Sequence, residues 1–537
     1  MKPFATLDFE TDPFLHGREP KPFTGTFYTP GTLQNYWGDD TPGNMADFLS
    51  EQDINCYAHN GGKFDFFFLL PYLDPDLLII NGRIAKATIG KCTLLDSLLI
   101  LPLPLSAYKK DDMDYSIMER KVRNRPENKL KIINYLESDC VYLHEWITSF
   151  IDMFGKKLTL PSAAFSQLKK TDYKIKNMTE TQDEKFREYY FGGRTQAFKI
   201  GKFTGDYKIY DIKSAYPFGM LSNHPYGTEF DEVDYLPEVD CYLATIKAVS
   251  RGALPFRTDK GLSFPDDDIE RTYNVTGYEI RAGLDTNTLV VTDVVVCHIP
   301  VKTKNFKEYV NRFYKMKLTA EKLGDKVMRQ FAKLMLNACY GKFGLNPRNF
   351  KMYKLTDIGD LPYNSEQPPS NFDDWELESD LPWNKSLWSF PDPGDTFYNV
   401  ATAASITGFV RAYLWRAICA SEDVLYCDTD SIFCKKFDGK MGDELGDWEI
   451  EAGLKKIWIA GKKNYCALKT VAYQDNKESD PDKRKYKKAS KGSRLTPAEI
   501  IDMVENDSVI TWHNDAPSFS IARGVSFVSR DIRRSTL

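Results

Sequence analysis

The chain has 537 residues, 42% hydrophobic and 14% aromatic, which predicts about three or four folding units and excludes disorder in bulk. Lys and Arg number 71 against 76 Asp and Glu, a net charge of −5, so polyanion binding must come from local basic patches and not from overall charge. Ten cysteines without a C-x-x-C pair and six histidines without H-E-x-x-H argue against a disulfide framework, a zinc ribbon and a zincin.

Residues 4–9 (FATLDF) predict a strand opening an α/β unit, and MKPFATLDFETD carries no secretory apolar region. The apolar runs at 66–73 and 94–105 are too short or too interrupted by Asp and Pro to cross a bilayer, and read as core. Residues 128–154, with Ile132, Ile133, Leu136, Val141, Leu143, Ile147 and Phe150, predict an amphipathic helix near the end of an N-terminal domain. KIYDIKSAYP (208–217) predicts a strand and then a turn, and 306–343 carries long helical periodicity interrupted only at Gly324. LYCDTDSIFCKKF (425–437) predicts two strands joined by a tight acidic turn. Two stretches break the pattern: 221–300, rich in Asp, Pro and short β-type runs, and 346–397, rich in Pro, Asp, Asn and Trp without periodicity. An aperiodic stretch of that length within a domain is functional or mobile. In KRKYKKASKGSR (483–494) seven of twelve residues are basic; the tract suits duplex phosphates and a solvated loop equally.

Asp8 and Glu10 lie two apart on a predicted strand, so both carboxylates leave the same face. Alone, D-F-E is as readily a solvated strand face. Asp65, however, sits among Phe64, Phe66, Phe67 and Phe68, where an unpaired carboxylate is costly. Tyr135 and Asp139, at i and i+4, put a phenol and a carboxylate on one helix face. Four acids and a tyrosine can hold two Mg²⁺ ions about 3.5–4 Å apart, one activating water and the other steadying the leaving oxygen of a phosphodiester. Tyr135 would orient the water.

A second acidic set lies further on. Asp211 ends KIYD, and Asp428 and Asp430 flank Thr429 at the predicted hairpin tip, where adjacent like charges repel unless neutralised. A divalent metal is the expected neutraliser. In FAKLMLNACYGKFG (331–344), Lys333, Asn337, Tyr340 and Gly341 form a polar stripe, while Phe331, Leu334, Met335 and Ala338 form a packing stripe. A lysine on a rigid helix facing a two-metal centre suits nucleotide phosphates, and Tyr340 with Gly341 offers a flat surface to a nascent base pair.

These residues carry a resemblance. D-x-E, N-x-x-x-F-D (Asn60, Phe64, Asp65) and Y-x-x-x-D resemble the 3′–5′ exonuclease domain of family B DNA polymerases. D-x-x-S-x-Y-P, K-x-x-x-N-x-x-Y-G and Y-x-D-T-D-S, in that order, resemble motifs A, B and C of the same family. The resemblance implies an α+β multidomain fold: an RNase H-like exonuclease domain (1–160), a linker (161–200), and a right-hand polymerase domain (201–537). Within the last it implies a palm with motifs at 208–217 and 425–437, fingers at 305–345 and a thumb from about 467. It implies Asp8, Glu10, Asp65 and Asp139 as exonuclease metal ligands, with Tyr135 and Lys110 assisting. In the polymerase centre it implies Asp211, the Ile212 carbonyl and Asp430 as ligands, with Asp428 in support. Tyr216 would lie under the incoming sugar and reject a 2′-hydroxyl; Lys333, with one of Lys315 or Lys317, would hold the triphosphate beside Asn337 and Tyr340. DNA contacts would come from Asn60, Phe64, Ser97, Leu98, Tyr190, Gly192, Gly193, Gly341, Thr407, Arg411, Lys463 and Tyr465.

The chain is most similar to the protein-primed branch found in small linear-genome bacteriophages, tectivirus-type phages included. That likeness implies 221–300 as a terminal-protein contact and 346–397 as a processivity insertion that favours strand displacement. It implies two Mg²⁺ or Mn²⁺ ions per site, deoxynucleoside triphosphates, primer-template and single-stranded DNA as ligands, and a monomer or a heterodimer with terminal protein in the cytoplasm of an infected bacterium, with no membrane partner. A nucleic-acid-primed repair polymerase and a catalytically silent DNA-binding relative are the alternatives. Ala338, Ala215 and Val410 depart from the usual motif residues and bear on primer-template contacts, not on the carboxylates.

Overall fold

The computed structural model describes residues 3–536 apart from 14–19, 172, 175, 361, 363–374, 382, 393–396, 475–477, 515–517, 521–523 and 527–529. Two units are distinguished, the first containing residues 1–167 and 346–395, the second containing 168–345 and 396–514.

The first unit is built on a ten-stranded sheet. Its centre is three parallel strands, Phe4–Thr11, Asn55–Ala58 and Cys92–Asp96, with Pro22–Thr29 antiparallel beside the first. Phe4–Thr11 is buried on both faces until Asp8, with Phe4, Ala5 and Leu7 apolar and the Thr6 hydroxyl donating to Cys140 O at 2.8 Å. The helix Pro126–Phe154 packs against Phe4–Thr11 and Pro22–Thr29; it starts with proline in its first turn and stops at Gly155, whose φ of 80° suits a residue without a Cβ. Ile132, Leu136, Leu143, Ile147 and Phe150 are buried as expected, but Ile133 and Val141 are only half-buried. The 3.6-residue period carries the buried face through Tyr135, Asp139, Cys140 and Trp146 instead. That rotation turns Tyr135 and Asp139 inward.

The segment 346–397 is not without structure. Lys351–Asp357, Glu376–Leu381 and Lys385–Pro391 are strands, and Lys351–Asp357 pairs with Asp76–Ile80, so all three extend the sheet of the first unit. Leu355, Leu381 and Leu387 join the core that holds Leu73 and Leu77. The outermost strand, ELESDL, carries Glu376, Glu378 and Asp380, charges that discourage a further strand from pairing with it.

The second unit is centred on a seven-stranded antiparallel sheet in the order Tyr486–Ser490, Asn464–Lys469, Trp448–Gly461, Gly201–Ile212, Ser431–Cys434, Tyr426–Asp428, Thr195–Ala197. Asn464–Lys469 and Tyr486–Ser490, the latter inside the basic tract and both reaching past residue 467, belong to this sheet. Residues 221–300 form a second antiparallel sheet of Phe230–Val233, Leu289–Pro300, Leu243–Arg251 and Asp266–Thr276, with the helix Gly277–Asp285. The expected single helical run is two helices, Lys307–Leu323 and Lys326–Ala338. Gly324, at φ 70°, ends the first, and the Asp325 carboxylate accepts the Met328 N–H at 2.9 Å to start the second. On the second helix Phe331, Ala332, Met335 and Leu336 are buried, with Leu334 and Ala338 half-buried; Lys333 and Asn337 are exposed. Ala332 and Leu336 thus displace two members of the expected packing stripe.

Candidate active sites

In the first unit, Asp8 and Asp65 meet at one amide: the Phe9 N–H donates to Asp8 Oδ1 and to Asp65 Oδ1, each at 3.1 Å. Asp65 opens the short helix Asp65–Phe68 and is 1% exposed. Burial, and then the charges of Asp65 and Asp139, raise the pKa of Asp8 well above the ordinary carboxylate range. Glu10 is raised by burial and by Asp8, Asp65 chiefly by burial. Asp139 is raised by burial against the opposing effect of Lys110, whose Nζ stands 3.5 Å from Asp139 Oδ2. Burial works to lower Lys110, but Asp139, Tyr115, Asp8 and Glu10 outweigh it and hold the ammonium charged. Lys110 also lies over the Tyr135 ring, 5.5 Å from its centroid.

All four acids, Tyr135 and Lys110 therefore share one electrostatic neighbourhood. Among the described residues, no group of three or more His, Cys, Asp or Glu side chains has metal-holding geometry by itself. The chemistry of the donor set nonetheless fits a divalent cation: buried carboxylates raise one another's pKa, and Asp139 Oδ1 is buried without accepting a hydrogen bond. Tyr115, half-exposed, meets Tyr135 with hydroxyls 3.0 Å apart. The sequence reading gave it no role; its place five residues after Lys110 was the only available signal.

Asn60, at φ 67°, is held by Arg83, whose Nη1 reaches Asn60 Oδ1 at 2.8 Å and Asp96 Oδ2 at 2.5 Å. Ser97, expected to touch single-stranded DNA, is fully buried and bonded to His59 Nδ1 at 2.9 Å; Leu98 beside it is half-buried, as is Phe64. A serine in a hydrophobic stretch has no hydroxyl to spare for solvent when its neighbour's imidazole is in reach.

In the second unit, the hairpin of Tyr426–Asp428 and Ser431–Cys434 closes through Thr429 and Asp430, with Thr429 in the left-handed region at φ 61°. That conformation is strained for a β-branched residue. Asp211 is register partner to Ser431, and the Ile212 N–H donates to Asp430 O at 2.8 Å, which sets the end of the Asp211 strand beside the hairpin tip that carries Asp430. Asp211 is pushed up to about 7 by burial and then by Asp430, Glu451 and Glu449; Asp430 is pushed up to about 6 by burial and Asp428. Asp428 differs: Lys463 Nζ reaches both its oxygens and Thr195 Oγ1 donates at 2.9 Å.

Tyr216 follows Ser214, itself in the left-handed region at φ 54°, and stacks on Tyr340 with centroids 4.2 Å apart and planes 13° apart. Lys317 is lowered by burial and then by Arg329 and Lys333, so these three cations lie in one field. Of the pair Lys315 and Lys317, it is Lys317 that shares the surroundings of Lys333; Lys315 is exposed on the same helix. Arg329 was not singled out, because one arginine between two helical stripes carries no motif.

Several expected DNA contacts are turned inward. Arg411 is 3% exposed; its Nε donates to Glu279 Oε1 at 2.7 Å, and its Nη1 to the carbonyls of Phe191 and Gly192 at 2.6 and 2.7 Å. Thr407 is buried and bonds Ala404 O, and Tyr465 packs against Tyr426 and Phe433. Tyr190 is half-buried, its ring filling the space that a Cβ at Gly344 would occupy. Asn337 and Gly341 are exposed.

Residues 102–368 match the family described as DNA polymerase type B, organellar and viral. The DNA-directed DNA polymerase of Enterobacteria phage PRD1 is 37% identical, across 98% of this chain and 97% of the relative. The DNA polymerase of Bacillus phage Nf is 25% identical across 91% of each. The structure of phi29 DNA polymerase with primer-template DNA and incoming nucleotide is similar at a TM-score of 0.72 and 18% identity, covering 100% of both chains. The fold is thus α+β and multidomain, of the phi29 DNA polymerase kind. Full-length identity at this level settles descent, and the chain belongs to the type B DNA polymerases of the organellar and viral group.

Proposed function

We propose that this DNA polymerase extends a 3′ end at the Asp211/Asp430 centre, removes mispaired 3′ nucleotides at the Asp8/Glu10/Asp65/Asp139 centre, and starts synthesis on a terminal-protein hydroxyl. The observation that carries the reading is the presence of two separate acid clusters, each within its own unit, the first with Asp65 and Asp139 buried and the second half-buried. Asp211, the Ile212 carbonyl and Asp430 would hold Mg²⁺ or Mn²⁺ in one centre, and the four acids of the first unit in the other. Bound there, two divalent ions lower the pKa of the attacking oxygen and neutralise the leaving one.

The chain's own residues do the rest. Lys333, Lys317 and Arg329 present fixed positive charge where a triphosphate is anchored and pyrophosphate departs. Tyr216, stacked on Tyr340, forms a rigid floor under the sugar. In the first unit, the Tyr135 hydroxyl positions the water, and Lys110 offsets negative charge as the phosphodiester is attacked. The DNA partner is supported by relatives that are DNA polymerases and by phi29 polymerase structures with primer-template and with single-stranded DNA. Protein priming is supported by the two segments, 221–300 and 346–397, placed as in that branch; the site of action is then the cytoplasm of the infected host.

Asp430→Ala is expected to abolish nucleotide addition and spare 3′–5′ degradation, and Asp8→Ala to do the reverse. Loss of both activities in each folded variant removes the two-centre reading. Transfer of labelled deoxynucleotide onto purified terminal protein, with Mg²⁺ and no oligonucleotide, tests the priming; a strict need for an oligonucleotide rejects it.

A further inference from the structure

Residues 190–194, Tyr-Phe-Gly-Gly-Arg, pass the polymerase centre with their carbonyls tied. Arg257 Nη2 donates to Tyr190 O at 2.9 Å, Arg411 Nη1 to Phe191 O and Gly192 O, and the Thr429 N–H to Arg194 O at 2.6 Å. Arg411 is in turn held by buried Glu279. A backbone restrained at four carbonyls within five residues has little room to yield.

The two glycines of this segment meet different surroundings. A Cβ at Gly192 would find nothing within 4 Å, whereas a Cβ at Gly193 would stand 2.8 Å from Thr429 Cγ2 and 2.9 Å from the Tyr216 hydroxyl. Neither neighbour is the loose end of a flexible chain. Thr429 is β-branched, in the left-handed region, between Asp428 and Asp430, and Tyr216 is stacked on Tyr340.

We propose that Gly193 is a positioning residue for Tyr216: its missing side chain leaves the space in which the Tyr216 hydroxyl rests, and so fixes the ring that senses the sugar of the incoming nucleotide. The inference rests on the reading of Tyr216 as the sugar-sensing residue. Since Tyr340 blocks one face of the ring, a methyl group at position 193 drives Tyr216 out of its place, and a ribose is then less well excluded. The tied backbone on the other side makes Tyr216, not residue 193, the group that moves.

The test is the ratio of kcat/KM for a deoxynucleoside triphosphate to that for its ribonucleotide, in single-nucleotide primer extension with the full chain. Gly193→Ala is expected to lower the ratio at least tenfold. In a Tyr216→Phe background, which lacks the atom that the new methyl group meets, the same change is expected to move the ratio less than threefold. An unchanged or raised ratio in Gly193→Ala, or an equal fall in both backgrounds, overturns the inference. If Gly193→Ala alone does not fold, Gly193→Ala/Tyr216→Phe against Tyr216→Phe still decides, and a tenfold difference between those two overturns it. Tyr216→Val separates this from the underlying reading: if it leaves the ratio unchanged, the sugar-sensing role itself fails, whereas a fall in Tyr216→Val with no effect of Gly193→Ala removes only the role of the glycine.

Discussion

Lys463 Nζ lies 2.8 Å from both carboxylate oxygens of Asp428. Lys463 occupies a tight turn at φ 52°, where its own N–H donates to the Tyr426 hydroxyl at 3.0 Å, so both ends of the residue are fixed to the strand that carries Asp428. Of the two acids at the hairpin tip, Asp428 is thus the one with a protein cation in direct contact. Asp211 is instead raised by burial and then by the charge of Asp430, and Asp430 by burial and then by the charge of Asp428.

Loss of that cation returns a third uncompensated carboxylate to the centre. Lys463→Ala is expected to slow nucleotide addition by about 10–100-fold, the equivalent of about 1.4–2.7 kcal/mol in the barrier. Degradation of single-stranded DNA is expected to stay within about twofold, because Asp428 belongs to the second unit; the comparison is of the two rates under single-turnover conditions.

Asp211 and Asp430 have folded-state pKa values of about 7 and about 6 against an ordinary value of 3.8. The fold therefore favours their protonated forms. Their stabilising contribution is full below pH 3.8 and is lost as the pH rises through 6 and 7. In a chelator, Tm is expected to fall from pH 5 to pH 7.5, and to fall less in Asp430→Asn. After allowance for solvent screening the difference is about 1 kcal/mol, one or two degrees for a unit of this size. Mg²⁺ is expected to reverse the fall, and more so at pH 7.5 than at pH 5; calorimetry across the pH series reads all three effects.

Lys110 is surrounded by Asp139, Asp8 and Glu10 and lies over the Tyr135 ring. Lys110→Ala is expected to reduce exonuclease turnover by about 10–100-fold while leaving nucleotide addition unchanged. The assay pairs degradation of a labelled oligonucleotide with primer extension by the same preparation.

Leu387 is 3% exposed in the core of the first unit, on a strand contributed by 346–397. Leu387→Ala is expected to destabilise that unit by about 2–5 kcal/mol, visible in denaturant unfolding. Excision of the whole segment uncovers Leu77 and the paired edge of Asp76–Ile80. A deletion therefore tests folding as much as product length, and changes on the exposed faces of these strands are the sharper probe of processivity.

The acids of both centres were legible in the residue order, because a carboxylate beside phenylalanines or beside another carboxylate carries its own electrostatic demand. Asp8, Asp65 and Asp139 are found together for that reason, as are Asp211 and Asp430. The strand at Phe4–Thr11, the 128–154 helix and the acidic hairpin were legible as well, since each repeats a period that burial imposes locally. What only the tertiary structure decided is where polar groups without such a demand are spent. Arg411, Thr407, Ser97 and Tyr465 carry a motif signal in one dimension but none of burial, and the fold places all four inside: a guanidinium answers Glu279 and two carbonyls, and a hydroxyl answers His59. The strands of 346–397 were hidden for a related reason. The one that joins them to the sheet, Lys351–Asp357, has its partner Asp76–Ile80 about 280 residues earlier, and a strand's stability comes from the neighbour it pairs with more than from its own residues.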